Sequence, residues 1–266
     1  MSKVILITGA STGLGESIGK HLVQKGHVVY GTSRSIEPQT KPFHTLDMDV
    51  TSSESINGAV QRIIREQGRI DVLINNAGLG IAAPVESVAI DDVQRVFDTN
   101  VIGIIRTCQG VLPQMRQQRS GLIINISSIG SETGLPFRGV YSASKAAVDR
   151  LTEALRIELA AFGVQACYVQ PGGVQTDINR NRLRASLPAD NVYKTTFERT
   201  YGLIDESVSQ GLPPEAFGTL IEKIMQTPQV DRCYRLGKPV EKLSVVLKKL
   251  LPSAVYEKMI KNHYKM

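Results

Sequence analysis

A chain of 266 residues, 42% hydrophobic and 21% charged, holds enough apolar material for one large domain or two small ones. No run approaches the ~20 apolar residues that span a bilayer, and a net charge of +6 is too mild and dispersed for a nucleic-acid surface. Three scattered cysteines (Cys108, Cys167, Cys233) and four scattered histidines fit neither a disulfide framework nor a metal site.

Strand-like and helix-like patterns alternate without a long polar linker, which predicts a single α/β domain. M-S-K-V-I-L-I-T-G enters a strand directly and lacks a signal peptide's cleavage site, so the expectation is a cytoplasmic protein. Val4 to Ile7 gives the first strand, followed by T-G-A-S-T-G-L-G (Thr8 to Gly15) and a helix to about Gln24. Strand, glycine turn and helix form the setting of a phosphate-binding loop. Gly9 and Gly13 permit the tight turn, and Gly15 permits close approach of helix to sheet or cofactor. Ser11, Thr12 and Leu14 complete the loop at a helix N-terminus whose unpaired N–H groups suit a pyrophosphate.

The second strand, His27 to Thr32, ends T-S-R-S. An acid here would bind the ribose 2′-hydroxyl of NAD, but none occurs from His27 to Ile36. Arg34 with Ser33 beside it suits a 2′-phosphate instead, so NADP(H) is the first reading and NAD(H) the second. The third strand, Phe43 to Met48, leads to Asp49 and Val50, placed to read an adenine edge. A helix from about Ser53 to Gln67 and a fourth strand, Asp71 to Ile74, run into N-N-A-G, Asn75 to Gly78. The small residues leave room for a ribose, which makes Asn76, Ala77 and Gly78 cofactor candidates; the amides equally suit a structural tie between strands. Ile90 to Arg116 reads as a long helical region, with Asn100 inside it as a local cap or kink.

The fifth strand, Gly121 to Ile126, delivers Ser127 and Ser128, and Y-S-A-S-K then opens a strong helical pattern. Tyr141 and Lys145 are four apart, so they share a face one turn from each other. A free tyrosine titrates near pKa ~10, and a lysine cation one turn away lowers that value toward useful proton transfer. With a serine hydroxyl holding a carbonyl oxygen, the set describes reduction of a ketone or oxidation of an alcohol, the hydride coming from a cofactor. The sixth strand, Val164 to Val169, runs into Gln170 to Thr176, where Pro171 and two glycines mark another loop on the cofactor side.

In this order and spacing, T-G-A-S-T-G-L-G, D-V, N-N-A-G, T-N-V, S-S, Y-S-A-S-K and P-G-G-V-Q-T make the chain resemble the short-chain dehydrogenase/reductase family. The match runs from Val4 to about Thr176 and more weakly through Arg232 to Gly237. The resemblance implies a doubly wound (Rossmann) parallel sheet with helices on both faces and an active site at the carboxyl ends of the strands. It implies a catalytic tetrad of Asn100, Ser128, Tyr141 and Lys145. Ser128 is taken over Ser127 because the family's serine lies thirteen positions before its tyrosine. It further implies that Lys145 and Tyr141 meet the nicotinamide ribose and that Asn100 positions a water in a proton relay. Asp49 and Val50 would lie along the adenine, with Pro171, Gly172, Val174 and Thr176 near the nicotinamide. The stretch Gly68 to Thr176 looks most like the branch of 17β-hydroxysteroid dehydrogenases, which implies a lipophilic substrate (steroid-, retinoid- or acyl-lipid-like) and a homodimer or homotetramer. The loop spacing is not that of the epimerase branch, nor the tyrosine–lysine spacing that of enoyl reductases. The competing readings are an NAD-dependent hydroxysteroid or polyol dehydrogenase and a non-catalytic NADP(H)-binding sensor or scaffold.

The expected domain covers residues 1–237, with a substrate flap at about 177–214, and an extension covers 238–266. Arg180, Arg182 and Arg184 sit on alternate residues of the flap, either meeting an acidic substrate group or forming a solvated face. Tyr193, Phe197 and Tyr201 either line an apolar pocket or pack the flap down. In the extension, Val240, Leu243, Leu247 and Leu250 keep helical spacing and Pro252 breaks the run before Val255, Met259 and Ile260. It carries seven lysines against two glutamates. Such a basic amphipathic tail packs within the protein, covers the pocket, meets a second subunit or lies on an acidic membrane surface.

Overall fold

The computed structural model describes residues 2–34, 41–176 and 182–266. Strand β1 (Val4–Thr8) is buried along its whole length, as an unbroken apolar run demands of a parallel strand covered on both faces. Its side chains alternate between two cores: Val4 and Leu6 point into one, Ile5 and Ile7 into the other. Helices α1 (Gly13–Gln24) and α7 (Glu215–Gln226) close one side with Ile18, Leu22, Phe217 and Ile221. On the opposite side α2 (Ser53–Gln67), α4 (Gly103–Gln118) and α5 (Gly139–Glu158) contribute Ile56, Ile63, Val111, Met115 and Val148. Of these, α2 ends on Gly68 at φ +70°, a backbone conformation that favours glycine.

β1 pairs in parallel with β2 (Val28–Ser33) on one flank and with β4 (Val72–Asn75) on the other. The sheet extends past β2 to β3 (His44–Asp47), and past β4 to β6 (Gly121–Ile126), β7 (Val164–Pro171) and β9 (Cys233–Leu236). Among the described residues this gives seven parallel strands in the order β3-β2-β1-β4-β6-β7-β9. The order reverses between β1 and β4, and the loops after those strands diverge there, opening a crevice at the carboxyl ends. A two-stranded parallel ribbon, β5 (Ile81–Ala82) with β8 (Leu183–Arg184), ties the chain after residue 181 to the loop after β4.

The long helical region expected over residues 90–116 is interrupted. α3 (Ile90–Phe97) passes into a π-helical turn, Asp98–Ile102, before α4 begins. Asn100 sits in that turn, fully buried, which makes it a kink with a purpose rather than a cap.

A polar chain crosses the core beneath the crevice. The Thr107 hydroxyl donates to Asn75 Oδ1 (2.7 Å), Asn75 Nδ2 donates to Asn125 Oδ1 (2.8 Å), and Asn125 Nδ2 donates to Thr152 Oγ1 (2.8 Å). It locks α4, β4, β6 and α5 in register through direct side-chain hydrogen bonds.

The remaining helices are α6 (Lys194–Ser209), α8 (Pro239–Leu250) and α9 (Ser253–His263). The expected aromatic series divides on α6: Phe197 is fully buried, edge-on to Phe137 and tilted against Tyr201, while the Tyr193 hydroxyl donates to Glu86 (2.8 Å). Packing, and not pocket lining, is what these rings do.

Candidate active site

The crevice holds a cavity of about 1070 Å³, roughly the upper size of a ligand site. Of the cofactor and catalytic candidates read from the sequence, every one borders it except Gly15 and Asn100. At its inner end the loop after β1 turns sharply on Gly9, at φ +67°, where a β-carbon would lie 2.8 Å from the Ala77 Cα. Gly15 serves packing: a β-carbon there would sit 2.4 Å from the Gly9 carbonyl oxygen and 2.5 Å from Asn76 Nδ2. That is the close approach of helix to loop, one of the two roles its position offered.

The side chain of Thr12, at the N-cap of α1, makes no capping hydrogen bond, so the first-turn N–H groups stay available beside Ser11, Gly13 and Leu14. That glycine cradle and open helix start fit a dinucleotide pyrophosphate. Further along the wall stand Ser33, Arg34, Asp49 and Val50. Burial acts to raise the Asp49 carboxyl, but hydrogen bonds from Thr51 and the nearby Arg34 and Arg106 charges hold it below the usual carboxylate range. Asn76 spends its side-chain amide on the carbonyls of Thr8 (3.1 Å) and Gly9 (2.8 Å). The structural alternative thus holds for both amides of N-N-A-G, with Asn76, Ala77 and Gly78 still forming cavity wall.

Farther in, β6 ends and α5 begins. Ser128 Oγ accepts from the Gly130 N–H (3.0 Å) and stands beside Tyr141 in the cavity wall, while Ser127 Oγ turns away to the Lys145 carbonyl (3.2 Å). Lys145 is buried and donates from Nζ to the Ile126 carbonyl (2.9 Å). Burial alone raises the Tyr141 phenol, but Lys145, then Arg138, the Ser128 hydroxyl and Arg182 outweigh it and hold the phenol below its ordinary value. Lys145 is itself lowered by burial, opposed by Tyr141 and by Asp149. Asn100 lies behind the wall: its amide accepts from Leu79 N (2.7 Å) and donates to the Leu79 carbonyl (2.9 Å) and to Ser144 Oγ (3.1 Å). It fixes the strand-end loop beside Lys145 and does not itself face the cavity.

Two polar residues here escaped the reading of the sequence, and a third was read only in part. Arg138 stacks its guanidinium 4.9 Å from the centre of the Tyr141 ring; its spacing of three from Tyr141 was the available signal. Asp149, one turn beyond Lys145, is buried and takes hydrogen bonds from Ser131 (2.5 Å) and Gln170 (2.9 Å). Burial pushes its carboxyl up, against those hydrogen bonds. Arg182 was seen only as one of three alternate arginines. Its side chain is 3% exposed, reaches the cavity, and pairs with Asp205 (3.2 Å). Arg184 instead lies 4.1 Å over the Tyr201 ring and pairs with Glu198 at the surface, and Arg180 lies outside the described residues.

The pH dependence follows from Tyr141. For a carbonyl reduction in which Tyr141 donates the proton, the neutral phenol is required, so the rate would fall as pH rises through the phenol's lowered value, and alcohol oxidation would rise over the same window. Arg138→Gln removes one of the groups that lower that value. The alkaline limb of the kcat/KM profile for reduction is expected to move to higher pH. An unmoved limb would show that Arg138 does not tune the phenol.

The outer wall comes from the extension. Val240, Leu243, Leu247, Met259 and Ile260 border the cavity, so the tail packs along the pocket. Among the contacts that hold it, the Glu241 carboxylate accepts from Gly173 N (2.8 Å) and from Lys238 N (2.7 Å) within the extension, the first joining α8 to the loop after β7.

The chain matches the family model described as short chain dehydrogenase over residues 3–186. It is 40% identical to 3-ketodihydrosphingosine reductase of Bacteroides thetaiotaomicron, across 98% of each chain. It is 35% identical to human 17-beta-hydroxysteroid dehydrogenase type 1, across 77% of this chain and 67% of that one. A crystal structure of a short-chain dehydrogenase from Streptomyces avermitilis superposes with a TM-score of 0.81 at 29% identity, covering 98% of this chain and 99% of that one.

Proposed function

Because the chain belongs to the short-chain dehydrogenase family, and is an oxidoreductase on that ground, we propose that it interconverts a lipophilic ketone and its secondary alcohol with NADP(H). The observation that carries this reading is the meeting of Tyr141, Lys145 and Ser128 at the wall of one cavity. A bound nicotinamide dinucleotide supplies or accepts the hydride. Tyr141 gives its phenolic proton to the carbonyl oxygen, and Ser128 holds that oxygen by a hydrogen bond. Lys145 keeps the phenol acidic and faces the ribose, and Asn100, to which the family resemblance gives the relay water, braces the loop beside Lys145. The loop from Gly9 to Leu14 holds the pyrophosphate, Asp49 and Val50 flank the adenine, and Pro171, Gly172, Val174 and Thr176 flank the nicotinamide. Arg34 and Ser33 take the 2′-phosphate.

Leu135, Leu183, Ile204, Val208, Leu243 and Leu247 give the cavity the apolar lining that a lipid ketone needs. The names of two relatives, a 3-ketodihydrosphingosine reductase and a 17-beta-hydroxysteroid dehydrogenase, support a long-chain or steroid ketone. A cytoplasmic homodimer or homotetramer is part of the same reading, with Ile102, Ile105 and Ile157, exposed on and beside the long helices α4 and α5, as the apolar surface for assembly.

Titration with NADPH and NADH, followed by assay of 3-ketodihydrosphingosine and a steroid ketone, tests the proposal. NADPH is expected to bind more tightly, and Arg34→Ala to weaken NADPH by about 10- to 100-fold, the worth of a charged hydrogen bond, while leaving NADH unchanged. Equal loss for both cofactors would remove Arg34 as the phosphate reader. Binding without turnover of either ketone would count against the substrate class.

A further inference from the structure

We propose that the helix pair α8–α9 docks the protein on an anionic lipid bilayer, with the cavity mouth facing the membrane. The pair is preformed, because Val245, Tyr256 and Tyr264 are buried against the body and Glu241 is held by Gly173 and Lys238. What remains outside includes an apolar set: Val240 (68% exposed), Leu243 (52%), Val246 (50%) and Leu250 (74%) on α8, with Val255 and Met259 on α9. On α8, positions 240, 243 and 250 keep one helical face. Val240, Leu243 and Met259 border the cavity as well as being exposed, so they form its lip.

The charges around this lip choose the occupant. From Lys238 onward there are seven lysines and two glutamates, and Glu241 is already engaged with the body. Lys242, Lys248, Lys249, Lys258, Lys261 and Lys265 are all exposed. A second copy meeting this face through a two-fold axis would bring the same positive surface against it, an arrangement that like charges oppose. An anionic bilayer satisfies both features, since its surface potential attracts lysines beside it and the apolar residues enter the headgroup boundary. Docking stands on the tail alone. Only the further point, that a lipid ketone passes from the bilayer into the cavity without crossing water, rests on the proposed function.

The test uses the full chain, with sedimentation against vesicles of phosphatidylglycerol and phosphatidylcholine, and of phosphatidylcholine alone, at low and high salt. Binding is expected to the anionic vesicles, and to fall by about tenfold or more without anionic lipid or at high salt. The double variant Val246→Glu with Leu250→Glu, at two exposed positions that do not border the cavity, is expected to lose vesicle binding while NADPH binding is kept. Failure of the wild-type chain to bind anionic vesicles at low salt would overturn the proposal. So would a dimer in sedimentation velocity that the double variant converts to monomer, since a second copy would then own the surface. Vesicle binding is scored without turnover, so vesicle binding with no ketone reduction supports docking and counts only against the substrate reading.

Discussion

Tyr141→Phe is expected to lower ketone reduction by about 10²- to 10⁴-fold, the range that positioned general acids supply. The ring keeps its place under Arg138, so the loss is chemical and not structural. NADPH affinity and thermal stability should stay close to wild type, and single-turnover kinetics should assign the loss to the chemical step. Near-normal turnover in this variant would remove Tyr141 as the proton donor. Water substitutes poorly here because Tyr141 is only 8% exposed and its value is set by three cations and a serine. A solvent proton donor has none of that tuning.

The second large effect concerns stability. Asn125→Ala deletes the middle of the buried chain that joins β4, β6 and the helices behind them. Asn75 Nδ2 would be left with only the Cys108 sulfur at 3.9 Å, and the Thr152 hydroxyl would keep its donation to the Val148 carbonyl but lose the amide it accepts from. An unsatisfied buried donor costs about 1–3 kcal/mol, and the emptied volume adds to it. The expected loss is about 3 kcal/mol, which for a chain of this size lowers Tm by roughly 2–4 °C per kcal/mol. Urea unfolding measures it directly, and a loss below about 1 kcal/mol would show that the chain of amides is not cooperative.

Much of this architecture is written in local sequence. β1 is legible because both its faces are apolar, and the start of α1 because glycines must stand where the backbone takes positive φ or approaches Ala77. Tyr141 and Lys145 are legible because a helical turn places them together. The π-turn at Asn100 is not, since its partners at Leu79 and Ser144 lie 21 and 44 residues away in the chain. Arg182 illustrates the same limit. Three arginines on alternate residues look alike as a pattern, and only tertiary packing decides that one is buried at the cavity while Arg184 stacks on Tyr201 at the surface. The tail's hydrophobic spacing predicted helices, but the contact that aims them, Glu241 on Gly173, joins residues 68 apart.

The match to the family model ends at residue 186, while much of the cavity's outer wall, from Ile204 to Tyr264, is built after it. The chain is therefore ordered like a tool with an exchangeable head: the groups proposed to move protons lie in the first two-thirds, and much of the wall that would meet whatever enters lies in the last third. Glu241 is the clasp between the two. Drift in the final eighty residues can reshape that wall without touching Ser128, Tyr141 or Lys145.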